Sequence, residues 1–190
     1  MLARLLTEIG LPMTAEESVE AFMGRSWKTV AAHAEAALGR PLPEGFRRRY
    51  LDEMFAAFER ELRPVPGVIE ALAAIDLPAC VASSGSHEKM RFTLGQVGLY
   101  ERFEGRIFSA TEVEHGKPAP DLFLHAATRM GWDPAQCAVV EDSPAGVEAA
   151  LAAGMTALGY AGWTPAERLD GARVFTDMAE LPALLQSPPS

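Results

Sequence analysis

From about residue 64 onward, short apolar runs alternate with segments of helical period, and that alternation narrows the fold more than any other feature of the chain. Residues 79–83, 106–109, 137–140, 155–159 and 173–175 read as strands. Between and around them, residues 66–75, 86–97, 121–130, 144–153 and 178–185 read as helices. Parallel strands need a crossover between them, usually a helix, so strand-helix alternation predicts an α/β domain with a parallel sheet. The first 63 residues contain no comparable strand. Leu2, Leu5, Leu6 and Ile9 follow the i, i+3, i+4, i+7 stripe of an amphipathic helix, which Gly10 and Pro12 stop. Thr14 followed by Glu17 is a capping-box signature for a helix to about residue 23. Further helices are expected over 27–38, ending at Gly39, and over 44–62, with Tyr50, Met54, Phe55 and Phe58 on the apolar side. Arg63-Pro64-Val65-Pro66-Gly67 is a stiff connection. It divides the chain into a helical domain, 1–63, and an α/β domain, 64–190. The tail Ser187-Pro188-Pro189-Ser190 is expected to fray.

Charge excludes several function classes. Seventeen basic against 26 acidic residues give a formal charge of −9, which disfavours nucleic acid and anionic membranes as partners. No apolar run approaches the roughly 18–20 residues of a membrane span, and residues 1–10 lack the form of a secretory signal. Cys80 and Cys137 lie within apolar runs and are expected to be buried free thiols, which suits a reducing cytoplasm. No His/Cys cluster has zinc-ligand spacing. Of the histidines, His87 is expected on a helix surface and His115 in a solvated loop. Trp132 and Trp163 are expected to pack within loops.

Ligands of open parallel sheets bind beyond the carboxyl ends of the strands, so the residues following each apolar run matter most. After residues 79–82 come Ser83, Ser84, Gly85 and Ser86, then a helix. Hydroxyls, a glycine and free helix-start amides suit a phosphate, although Ser86 could serve only as a helix cap. Beyond Phe108 a loop ends in Gly116-Lys117-Pro118-Ala119-Pro120-Asp121. Two prolines restrict the backbone there and would aim the Lys117 ammonium, which could otherwise be a solvated surface charge. After Val140 come Glu141 and Asp142, then Ser143 and Pro144 at a helix start. Two carboxylates at the end of a buried strand are costly unless a cation joins them, and Mg2+ takes one or two carboxylates plus phosphate oxygens. They could instead serve only the helix start. Together, hydroxyl, lysine and acidic pair describe a magnesium-dependent phosphoryl-transfer site.

At these residues the chain resembles the haloacid dehalogenase (HAD) superfamily. Residues 81–86 are similar to its second motif, Gly116-Lys117-Pro118-Ala119-Pro120-Asp121 to its third, and Val140-Glu141-Asp142-Ser143-Pro144-Ala145-Gly146 to its fourth. The phrases look like the β-phosphoglucomutase and sugar-phosphate phosphatase branch, closest to a 6-phosphogluconate phosphatase type. The resemblance implies a Rossmann-like core with a parallel sheet, and it makes residues 1–63 a cap domain. It implies that Ser83 and the amides of Ser84 and Gly85 hold the phosphoryl group, that Lys117 neutralises it, and that Asp142 with Glu141 holds Mg2+. Arg25, in Gly24-Arg25-Ser26, would face a small phosphorylated metabolite. Trp27 stands where the mutase type carries an arginine, which favours a phosphatase over a mutase. The acidic pair disfavours halide chemistry.

One departure is large. The family's first motif is an Asp-x-Asp directly after the first, central strand; its first Asp forms an aspartyl-phosphate and its second is the general acid and base. No Asp-x-Asp occurs in this chain, and its first aspartate is Asp52. Covalent catalysis needs the nucleophile, so the chain as written is expected to be inactive and to bind Mg2+ weakly. The central strand should also be absent between the strands ending at Ser83 and Val140, exposing two edges. The simplest expectation is a sequence that starts late. The alternative is a truncated, non-catalytic protein that binds a phosphorylated ligand or a partner, with a homo-oligomer as one way to fill the sheet.

Overall fold

The structure is a computed structural model that describes residues 1–186; the tail expected to fray lies outside the described residues. Two compact units divide the chain, Met1–Leu62 and Arg63–Ser190.

The first unit holds α1 (Leu2–Glu8), α2 (Ala15–Phe22), α3 (Trp27–Leu38) and α4 (Phe46–Glu61). Thr14 accepts from the amide of Glu17 while the Glu17 carboxylate accepts from the amide of Thr14, a reciprocal cap that fixes the start of α2. Ser26 caps α3, and Gly39 ends it in a left-handed conformation. The start of α4 lies two residues later than the periodicity suggests, because Gly45 takes φ 77° and cannot be its first turn. That shift brings Phe46 into the core with Leu5, Leu6, Phe22, Val30 and Ala34. Trp27 stacks on Tyr50 at 5.2 Å and on Phe46 at 6.4 Å. Across α1 and α4, Arg4 and Arg49 share Glu8 and Glu53 in an exposed network.

The second unit runs α5 (Val68–Ala73), β1 (Val81–Ser83), α6 (His87–Gln96), α7 (Tyr100–Phe103), β2 (Ile107–Ser109), α8 (Asp121–Met130), β3 (Ala138–Glu141), α9 (Pro144–Ala152), β4 (Thr156–Tyr160), β5 (Arg173–Phe175) and α10 (Leu181–Gln186). α7 has no counterpart in the sequence reading; four residues are too few for a period to show. All strand pairs are parallel, as the alternation requires. They form two sheets rather than one, β1-β2 and β3-β4-β5. The registers pair Ala82 with Phe108, and Val140 with Leu158.

β1 and β3 face each other where the sheet breaks. Ala82 of β1 and Val139 of β3 pack against one cluster made by Phe123, Ala127, Val147, Ala149 and neighbours from α8 and α9. The facing edges carry no partner strand among the described residues. Strand β3, read as a continuous buried run, is exposed at Ala138 and Val140. Cys80 and Cys137, each one residue before these strands, are free and only partly buried, which corrects the expectation of buried thiols. Burial still pushes the Cys80 thiol up to about 11, with Cys137 adding to the shift and Arg106 opposing it. No helix of the described residues is long and apolar enough to cross a membrane.

Candidate active site

The three polar clusters converge where β1 and β3 end. Lys117 is the pivot. Its side chain is 6% exposed, unusual for a lysine unless paired. The ammonium forms an ion pair with Glu141, itself 9% exposed in its side chain. It donates to the carbonyl of Ala82 at 3.3 Å and lies over the Phe123 ring, 4.7 Å from its centroid. One cation therefore touches the last turn of chain before Ser83 and the carboxylate that ends β3. The peptide bond from Lys117 to Pro118 is cis.

On the β1 side, Ser83 ends the strand and its Oγ accepts from the amide of Gly85 at 3.1 Å. The carbonyl of Gly85 accepts from Ser109 Oγ at 2.7 Å, so the end of β2 fixes the loop after β1. Ser86 caps α6 through the amide of Lys89. This is the capping role weighed for it, and it leaves Ser83, Ser84 and Gly85 as the loop's ligand-facing candidates.

On the β3 side, Ser143 donates to Glu141 Oε2 at 2.9 Å and accepts from the amide of Gly146 at 3.1 Å. It thus caps α9 and orients Glu141 at once. Gly146 has a specific reason to be glycine: a Cβ there would collide with the Glu141 carboxylate, which lies over the first turn of α9. Asp142, the next residue, has other hydrogen-bond partners. Its Oδ2 accepts from the indole of Trp163 at 3.1 Å and its carbonyl from Thr164 Oγ1 at 2.5 Å. Burial, and then the neighbouring Glu141 charge, push the Asp142 carboxyl above its ordinary range; Trp163 and Lys117 oppose the shift.

No group of three or more His, Cys, Asp or Glu side chains among the described residues is arranged to hold a metal ion. The acidic pair still fits Mg2+, which needs only one or two carboxylates when phosphate supplies other oxygens. An aspartate whose charged form is disfavoured by burial and by a like charge is one that a divalent cation would stabilise.

The sequence-derived set of Ser83, Ser84, Gly85, Lys117, Glu141 and Asp142 lies in one unit at the ends of two facing strands. Arg25 is exposed in the other unit, after α2. The sequence reading missed Trp163, which was expected to pack in its loop and is instead 60% exposed with its N–H on Asp142. It also missed the partners of three histidines. Glu112 accepts from His87 at 2.8 Å and from His125 at 3.1 Å, and His115 meets Asp121 at 3.1 Å. Nothing in the local sequence signals these pairings, which join separate elements.

Comparison with known proteins places this geometry among relatives. The 6-phosphogluconate phosphatase of Escherichia coli is 28% identical over 183 residues, covering 95% of this chain and 83% of that protein. A conserved haloacid dehalogenase-like protein of Agrobacterium tumefaciens superposes with a TM-score of 0.76 at 35% identity, over 96% of this chain and 87% of the other. A HAD family hydrolase of Deinococcus radiodurans, solved with bound phosphate and sodium, gives 0.67 at 31% identity, over 97% and 85%. The model of haloacid dehalogenase-like hydrolases matches residues 3–154. With most of its length matched, and with the parallel strands and polar strand ends described above, the chain belongs to the haloacid dehalogenase-like hydrolase family.

Proposed function

We propose that residues 63–190 carry the phosphate- and magnesium-binding side of a phosphatase for a small phosphorylated metabolite of the sugar-phosphate class. The observation that carries this reading is the buried Lys117, fixed between the end of β1 and the acidic pair that ends β3. In this reading the Ser83 hydroxyl and the amides of Ser84 and Gly85 receive the phosphoryl oxygens. The Gly85 amide exchanges its bond to Ser83 Oγ for the ligand. Lys117 neutralises charge on the transferring group, and Asp142 with Glu141 holds Mg2+. When bound, the ion supplies charge stabilisation to the phosphoryl oxygens. Unit Met1–Leu62 acts as the cap, with Arg25 contacting an anionic group of the substrate. Trp27 is occupied with Tyr50 and Phe46 in its own unit, which suits a phosphatase cap better than a mutase cap. The similarity to a 6-phosphogluconate phosphatase and to a phosphate-bound hydrolase supports the substrate class. A soluble metabolite of this kind fits a cytoplasmic enzyme.

The family nucleophile would enter on an apolar strand seated between β1 and β3, parallel to both. For residues 1–190 alone, the broken sheet favours phosphate-ester binding without turnover. Both parts are tested together. The 190-residue chain should gain thermal stability from inorganic phosphate plus Mg2+ and hydrolyse no p-nitrophenyl phosphate. A chain extended at its N-terminus by an apolar strand ending in Asp-x-Asp should hydrolyse it with Mg2+. Retention of that activity in Lys117→Ala or Asp142→Asn would refute the assignment.

A further inference from the structure

The loop after β4 is built to place one indole against Asp142. Its residue Gly162 crosses the face of Tyr160 so closely that a Cβ would strike the ring. Tyr160 itself is 8% exposed and braced by Phe175 at 5.5 Å, so it cannot yield. Thr164, 4% exposed, ties the far end of the loop to the Asp142 carbonyl. Between these two anchors stands Trp163, edge-on to Tyr160 at 5.8 Å and 83°. The residue is 60% exposed, so core packing does not explain a tryptophan here. Its N–H is directed to Asp142 Oδ2 at 3.1 Å. Leaving so large an apolar surface in water makes sense where the ring's position is set by its polar edge.

We propose that Trp163 is a positioning residue for Asp142: its indole N–H sets the orientation of that carboxylate and thereby the divalent-cation affinity of the site. The inference rests on the reading of Asp142 and Glu141 as cation ligands. A group that donates to a ligating carboxylate fixes its rotamer before the ion arrives, and removing such a partner typically weakens binding by about 10- to 100-fold. Trp163→Phe keeps the ring edge on Tyr160 and deletes only the donor. Trp163→His returns a ring N–H, and at pH 8 its imidazole is neutral.

The test follows the indole N–H resonances of Trp27, Trp132 and Trp163 by NMR, with Trp163 assigned from its loss in Trp163→Phe. The Trp163 resonance should move from its wild-type position in Asp142→Ala, and in the wild-type chain on titration with Mg2+. The Mg2+ affinity, read from the backbone amides of Asp142 and Gly146, should fall about tenfold in Trp163→Phe and recover in Trp163→His. Equal Mg2+ affinity in wild type and Trp163→Phe would overturn the proposal and leave the cation site standing. A resonance indifferent to Asp142→Ala would also overturn it. A wild-type chain in which no amide responds to Mg2+ would overturn the cation reading and this proposal together.

Discussion

Replacing Lys117 by methionine should cost the Arg63–Ser190 unit more stability than most single changes, and the reason is specific. Lys117 and Glu141 are 6% and 9% exposed in their side chains, so their charges are largely removed from water. Lys117→Met keeps much of the volume and deletes the charge. It leaves the Glu141 carboxylate with the Ser143 hydroxyl donating to it at 2.9 Å, and it takes a donor from the Ala82 carbonyl. Removing one partner of a buried pair costs about 3–5 kcal/mol. The lost contact with the Phe123 face is part of that figure rather than an addition, because coupled contacts do not sum. The expected loss is about 3 kcal/mol, a large share of the roughly 5–15 kcal/mol that holds a domain. With a urea slope near 2 kcal/mol/M, the midpoint should fall by about 1.5 M. Two compact units need not unfold together, so amide exchange at Ala82 and Val139 identifies which transition moves. Lys117→Met/Glu141→Gln removes both charges and should recover most of the loss, since a buried pair replaced as a whole is often neutral. A single mutant within about 1 kcal/mol of wild type, or a double mutant with no coupling between the changes, would refute the view that this pair is a desolvated bridge.

Gly146→Ala should destabilise the unit by about 1–3 kcal/mol and lower phosphate affinity, because its methyl meets the Glu141 carboxylate; urea melts and phosphate titration check both. Asp142→Asn should raise the melting temperature at pH 7. Burial and Glu141 raise the folded carboxyl above its unfolded value of about 3.9, so the unfolded state holds fewer protons in that window and stability falls as pH rises through it. The asparagine's advantage should therefore vanish below about pH 3.9, and an advantage that persists there would contradict the desolvation account. Cys80, held near 11, should react with a disulfide reagent at pH 8 more than tenfold slower than a free thiol, since the thiolate fraction falls by about 10²-fold and greater nucleophilicity offsets only part of it.

Where the chain carries its own punctuation, the sequence was a good guide. Thr14 with Glu17, Gly39, and Ser143 with Pro144 mark helix ends through local backbone and side-chain chemistry, and the structure starts or ends helices beside each. α8 spans the residues its apolar period assigns, Asp121–Met130. Boundaries drifted where backbone conformation decided them, as at Gly45 before α4 and Gly67 before α5. The polar residues at the strand ends were readable because parallel topology dictates where they must face. What they touch was not. Glu141 read as half of a cation pair, yet it leans on Lys117 and Ser143, and Asp142 leans on a tryptophan 21 residues away. Side-chain partners across elements depend on packing that no local pattern records.

The break in the sheet gives Lys117 a second meaning. A strand between two neighbours would satisfy the inner edges of β1 and β3 with a ladder of backbone hydrogen bonds. Here one of those groups, the Ala82 carbonyl, takes the Lys117 ammonium instead, and the same ammonium reaches across to Glu141. A parallel strand seated in this gap would place its carboxyl end beside Lys117, on the side where Ser83 and Glu141 end their own strands. Any carboxylate it carried there would compete with Glu141 for the ammonium. Glu141 would then be released toward Asp142, where two like charges again call for a cation. Filling the gap and creating demand for a divalent ion are thus one event on the proposed reading. It follows that Mg2+ should bind more tightly to the strand-completed chain than to residues 1–190. Equal affinity would mean that Lys117 keeps Glu141 whatever lies between β1 and β3.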